Sequence, residues 1–185
     1  MEQKLRDIYK KVSMCESCEL CSTRTNVVFG SGDEKAAIMF VGEAPGENED
    51  LCGLPFVGRA GKLLDKYLLE AGISRDNIYI TNILKCRPPK NRDPEKQEEN
   101  ACIGYLEEQI EAINPRVIVC LGRIAAMRLI KPNFKISVER GLWFSRNGRD
   151  ICAVYHPSYL LRDPRKHDDM LADLLKIKDK ILQLN

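Results

Sequence analysis

Four short apolar runs set the tightest limit on what this chain can fold into: AIMFV at 37–41, IYIT at 78–81, VIVCL at 117–121 and ICAVY at 151–155. None alternates apolar with polar residues, so each predicts a strand covered on both faces, the pattern of a parallel sheet. Helical patterns fall around and between them. Residues 1–13 place Leu5, Ile8, Tyr9 and Val12 on one stripe, and residues 58–71 do the same with Leu63, Leu64, Tyr67 and Leu68 before stopping at Gly72. Residues 94–113 follow an Asp93-Pro94 start signal, and further helices are predicted over 123–130 and about 165–184. Strands alternating with helices predict an α/β fold, a three-layer αβα sandwich around a central, mainly parallel four-stranded sheet. At 185 residues the chain is read as a single domain over 1–185.

In such sheets ligands bind at the carboxyl ends of the strands. Here those ends run into Gly42 and its GEAPG turn, Asn82, Leu121-Gly122, and His156-Pro157-Ser158. The turn extends as GEAPGENEDLCGLPFVGRAG and looks like a phosphate cradle, yet it carries Glu43, Glu47, Glu49 and Asp50. Carboxylates repel phosphate, so a nucleotide-triphosphate site is the weaker reading. Backbone N–H groups of the turn can instead serve a carbonyl or an anionic ring. Asn82 offers one donor and one acceptor, enough to read an imide edge. Phe56 offers a stacking face, and His156 can donate to an oxygen that gains negative charge. A carboxylate of the turn can orient water and favour a cationic sugar, as in glycosidic cleavage.

The N-terminal stretch MEQKLRDIYKKVSM has no apolar signal segment and no run is long enough to span a membrane, which predicts a cytoplasmic, reducing setting. Eight cysteines there argue for metal or cluster binding ahead of disulfides. Cys15 and Cys18 form a CxxC pair, and with Cys86 and Cys102 they can close a four-thiolate site for zinc or an iron–sulfur cluster. Spacing does not choose between the two, and Cys21 is a competing ligand. Cys120 and Cys152 sit inside strand-like runs and read as core, while Cys52 receives no role.

Long ordered motifs, CESCEL with RTNVVFGSG, GEAPGENEDLCGLPFVGRAGKLLD, TNILKCRPPKNRDP, VIVCLG and HPSYLLR, make the chain from Cys15 to Arg162 resemble the iron–sulfur uracil-DNA glycosylases, family four of that superfamily. The resemblance implies a DNA repair enzyme that releases uracil from DNA by hydrolysing the N-glycosidic bond, leaving an abasic site without a lyase step. It implies a structural [4Fe–4S] cluster on Cys15, Cys18, Cys86 and Cys102, with no catalytic divalent metal. Uracil would be held by the backbone of Gly42, Glu43 and Ala44, stacked on Phe56, read by Asn82 and stabilised as an anion by His156. Glu43, Glu49 and Asn91 are the candidates for orienting the attacking water, with Glu43 first, because Ala44 stands where the first family has an aspartate. A related branch that traps abasic DNA carries a basic insertion ending in histidine, and GLPFVGRAG lacks it, so turnover is expected.

A net charge of +2 means that any DNA-binding surface must be local. Lys85, Arg87, Lys90 and Arg92 around Cys86, and Arg162, Arg165 and Lys166 after the HPS turn, are the predicted phosphate contacts. Ser158, Leu160 and Leu161 would lie over the minor groove, one leucine filling the gap left by the extruded base. The partner expected is uracil-containing DNA, double- or single-stranded, and nothing demands more than a monomer. Rival readings are a cluster-stabilised module that binds nucleic acid without cleaving it, and a metal-dependent hydrolase of free nucleotides.

Overall fold

The computed structural model describes residues 2–184. Its sheet has six strands, β1 (Ser31–Gly32), β2 (Ile38–Gly42), β3 (Ile78–Asn82), β4 (Val117–Leu121), β5 (Phe144–Arg146) and β6 (Arg149–Val154), in the order β1-β3-β2-β4-β6-β5. The four apolar runs are the inner strands β3, β2, β4 and β6, and all their pairings are parallel. The expectation of four strands is therefore corrected to six. β1 and β5 add antiparallel edges of two and three residues. Segments so short and partly exposed carry no periodicity for a sequence pattern to register.

The helices are α1 (Gln3–Ser13), α2 (Glu47–Cys52), α3 (Arg59–Glu70), α4 (Lys96–Ile113), α5 (Arg123–Leu129), α6 (Ile136–Glu139), α7 (Pro157–Leu160) and α8 (His167–Leu184). α4 starts two residues later than Asp93-Pro94 suggested, because Glu95 and Glu98 form a reciprocal capping box there. No helix among the described residues is long and apolar enough to cross a membrane.

Pleating divides each strand between two cores. Met39 and Val41 of β2 face one side with Leu5, Ile8 and Val12 of α1, Leu106 and Ile110 of α4 and Ala125 of α5. Ile38 and Phe40 face the other, with Leu64 and Leu68 of α3 and Met170, Leu174 and Ile177 of α8. This is the three-layer αβα arrangement. Cys120 and Cys152 are buried on opposite faces, as their place in the runs suggested. Fully burying such an aliphatic side chain stabilises by roughly 1.5–3 kcal/mol, which fixes the strand register and with it the loops at the carboxyl ends.

Candidate active site

The parallel register sets Gly42 beside Asn82 at the ends of β2 and β3. Only glycine fits there: a Cβ on residue 42 would lie 2.3 Å from Asn82 Oδ1 and 2.7 Å from Phe56 Cζ. The bare backbone lets an amide and an aromatic ring converge on one cleft of about 400 Å³, whose walls also include Glu43, Ala44, Glu49, Asn91, His156 and Arg162. Asn82 is 2% exposed, and its Oδ1 is buried without a hydrogen-bond partner. An unpaired buried acceptor costs about 1–3 kcal/mol, so this atom is the clearest sign that a ligand N–H belongs in the cleft.

Phe56 lies 5.9 Å from His156, ring centre to ring centre, at an angle of 38°. Its φ of 56° is in the left-handed region, an unusual place for an aromatic residue. Two features hold it. Glu49 Oε1 accepts from Val57 N at 2.9 Å and Gly58 N at 2.7 Å, and Gly61 of α3 lies so close that a Cβ would fall 1.8 Å from the Phe56 carbonyl oxygen. Glu49 is thus committed to the loop that carries the ring.

His156 follows β6 and caps α7, where its Nδ1 accepts from Ser158 N at 3.1 Å. An occupied Nδ1 lone pair puts the neutral ring's proton on Nε2, making that nitrogen a donor. Burial, with the Arg162 charge adding to it, pulls His156 down to about 4, so the imidazole is neutral at physiological pH.

The acids of the turn divide their tasks. The expected loop after Gly46 is the helix α2, and its buried Asp50 accepts from Thr25 N at 2.9 Å and Asn26 N at 3.2 Å. Glu47 is exposed and pairs with Arg87 at 3.3 Å. Asn91 Oδ1 accepts from Arg87 Nε at 2.8 Å. Glu43, which also lines the cleft, differs in its protonation: burial, with Asp93 adding to it and Arg123 opposing it, raises its carboxyl to about 7.

Of the expected DNA contacts, Arg92, Ser158 and Arg162 line the cleft. Leu161 is 39% exposed, whereas Leu160 is 2% exposed inside the α3/α8 core. Burial removes Leu160 as a wedge and corrects that expectation. Arg92 is held bidentately by Glu98, at 2.9 and 2.6 Å, and Arg87 by Asn91 and Glu47. Lys85, grouped in sequence with the phosphate contacts, is 1% exposed and faces inward.

The predicted thiols meet behind this wall. Cys15, Cys18, Cys86 and Cys102 line one pocket together with Cys21, drawn from the loop after α1, the exit of β3 and the face of α4. Arg24 Nη1 donates to Cys86 Sγ at 3.3 Å and Lys85 N donates to Cys102 Sγ at 3.3 Å. Among the described residues no three Cys, His, Asp or Glu side chains close on a single-ion site.

The family model for the uracil DNA glycosylase superfamily matches residues 29–178. The chain belongs to the uracil-DNA glycosylase superfamily. It is 48% identical over 183 residues to a type-4 uracil-DNA glycosylase of Archaeoglobus fulgidus, covering 95% of this chain and 92% of that protein. A type-4 uracil-DNA glycosylase of Thermotoga maritima is 46% identical over 167 residues, covering 88% of this chain and 85% of its own length. A type-5 uracil-DNA glycosylase of Pyrobaculum aerophilum is more distant, 34% identical with 78% of this chain and 72% of that protein covered. Sequence reasoning missed two features of this superfamily member's site. Asp50 looked like one more solvated acid, and Lys85 like one more surface cation. No local pattern distinguishes either, because their partners are remote: Asp50 meets residues 25–26, and Lys85 meets Gln109.

Proposed function

We propose that this superfamily member excises uracil from DNA by hydrolysis, and that its one domain carries both the base pocket and a cluster subsite. The observation that carries the reading is the unpartnered, buried Asn82 Oδ1 in a cleft that Phe56 also lines. A deoxyuridine extruded from the stack presents an imide N–H to that oxygen and a carbonyl to the Asn82 amide nitrogen. Cytosine presents an acceptor in place of that N–H and a donor in place of the carbonyl, so the Asn82 amide in this orientation rejects it. Phe56 stacks on the ring, and the backbone at Gly42, Glu43 and Ala44 flanks its edge.

As the bond from C1′ to the ring nitrogen breaks, its electron pair moves onto the base. His156 donates Nε2–H to the carbonyl oxygen where that charge collects, and being neutral it need not be deprotonated afterwards. Water adds to C1′, steered by Glu43, and releases its second proton to solvent, while solvent protonates the released base. Glu43 is preferred to Glu49 and Asn91 because those two already accept from Val57, Gly58 and Arg87. Arg162, Lys90 and Ser158 meet phosphates, and Leu161 fills the vacated stack position.

The thiol pocket fits a [4Fe–4S] cluster on Cys15, Cys18, Cys86 and Cys102, since sulfur ligands surround a common space and receive N–H donors from Arg24 and Lys85. Such a cluster would join the 15–24 loop to β3 and α4. Eight free cysteines suit a reducing cytoplasm. Incubation with a uracil-containing oligonucleotide in chelator, then alkali, should give strand breaks at uracil. An intact strand would rule out excision, and a requirement for divalent metal would favour the nucleotide hydrolase.

A further inference from the structure

Lys85 is the least expected side chain in the molecule. A lysine 1% exposed must satisfy three N–H donors without water, and Nζ does so with Thr81 Oγ1 at 2.7 Å, Asn82 O at 2.8 Å and Gln109 Oε1 at 2.6 Å. Its acceptors are themselves anchored. Thr81 Oγ1 donates to Phe29 O at 2.8 Å, and Gln109 Nε2 donates to the same carbonyl at 2.9 Å. Stability does not account for the network, because well-packed apolar residues commonly match or exceed a buried charge of this kind.

Its placement does account for it. The pairing of β1 with β3 stops at Ile80, two residues short of Asn82. Beyond that point, among the described residues, no strand donates to the outer edge of β3, and Lys85 Nζ takes that place at the Asn82 carbonyl. The backbone N–H of Lys85 meanwhile donates to Cys102 Sγ at 3.3 Å. One residue therefore touches both the peptide that aims the base-reading amide and the wall of the thiol pocket.

We propose that Lys85 is a positioning residue, clamping the Asn82 peptide so that the side-chain amide is set for the imide edge before a base arrives. This rests on the proposed reading of uracil by Asn82. The probe is free uracil as an inhibitor of excision, because it reports on the base-reading edge without DNA contacts. Lys85→Met should raise the uracil inhibition constant about tenfold, the worth of one well-placed hydrogen bond, and slow single-turnover excision in step. Affinity for abasic product DNA should stay within about twofold, since phosphate contacts are untouched. Thr81→Val keeps the shape but removes one Lys85 acceptor, so it should weaken uracil inhibition to a smaller degree, with Thr81→Ser restoring it. If Lys85→Met does not fold, the Thr81 pair decides. Unchanged uracil inhibition in the folded variants overturns the inference, as does a parallel loss of abasic-DNA affinity. Asn82→Ala separates the two levels: if it too leaves uracil inhibition intact, the base-reading assignment fails, whereas an effect confined to Asn82→Ala sinks the clamp alone.

Discussion

Replacing Glu43 by Gln tests the chemistry most directly, because the raised carboxyl gives the expected effect a sign and an approximate size. Glu43 has its carboxyl raised from 4.5 to about 7, first by burial and then by Asp93 and Glu99, with Arg123 opposing. If the ionised form steers water, about a tenth of the molecules are competent at pH 6 and about nine tenths at pH 8. Through Glu43 alone, single-turnover excision should then climb roughly tenfold over that interval. His156 adds nothing to this limb, because it is already neutral well below pH 6. Glu43→Gln should lower the rate by about 10²–10⁴ and abolish the limb. Every other titrating group remains in the variant, so the loss of the limb assigns it. The same substitution should stabilise the fold. A carboxyl whose pKa is higher folded than unfolded contributes stability present below 4.5 and lost as pH rises through 7, a cost of up to about 3 kcal/mol at pH 8. Gln does not titrate, so the variant should have the higher urea midpoint at pH 8. A flat wild-type profile, or a limb that survives in Glu43→Gln, would show that another group directs the water.

His156 carries the opposite linkage: its folded pKa of about 4 lies below the ordinary histidine value of 6.5, so the stability it contributes is present above 6.5 and is lost as pH falls toward 4. Between pH 6.5 and 4 the stability of the wild type relative to His156→Asn, read from urea melts, should fall by up to about 3 kcal/mol, with Glu43 titrating alike in both. Leu161→Ala should slow excision from duplex more than from single strands, since only a duplex must be held open. Leu160→Ala should instead cost about 2–5 kcal/mol in urea melts with little change in rate per folded molecule. Gly61→Ala forces a Cβ to 1.8 Å from the Phe56 carbonyl, and thermal denaturation should show a loss above about 3 kcal/mol.

The central sheet was legible in the sequence because burial on both faces leaves an unbroken apolar run, and β2, β3 and β4 are buried at every position. The edge strands and α2 were not, since β1, β5 and a six-residue helix owe their form to neighbours. The cleft residues Asn82 and His156 were legible because strand ends converge in this topology, and Phe56 because it lies in the long turn that leaves one of those ends. What stayed hidden were roles set by remote partners. Glu49 and Glu43 look alike in the sequence and both border the cleft, yet one is bound to two backbone amides and the other has a raised pKa. Leu160 and Leu161 are neighbours whose positions around one helical turn send them to core and solvent.

The ring of Phe56 is fixed by backbone geometry, between the Glu49 carboxylate and the bare Cα of Gly61. A receptor assembled in advance needs no closing motion to become active. Warming should accordingly quicken the reaction along a straight Arrhenius line until the whole domain melts, with no earlier break where a softer loop would let go.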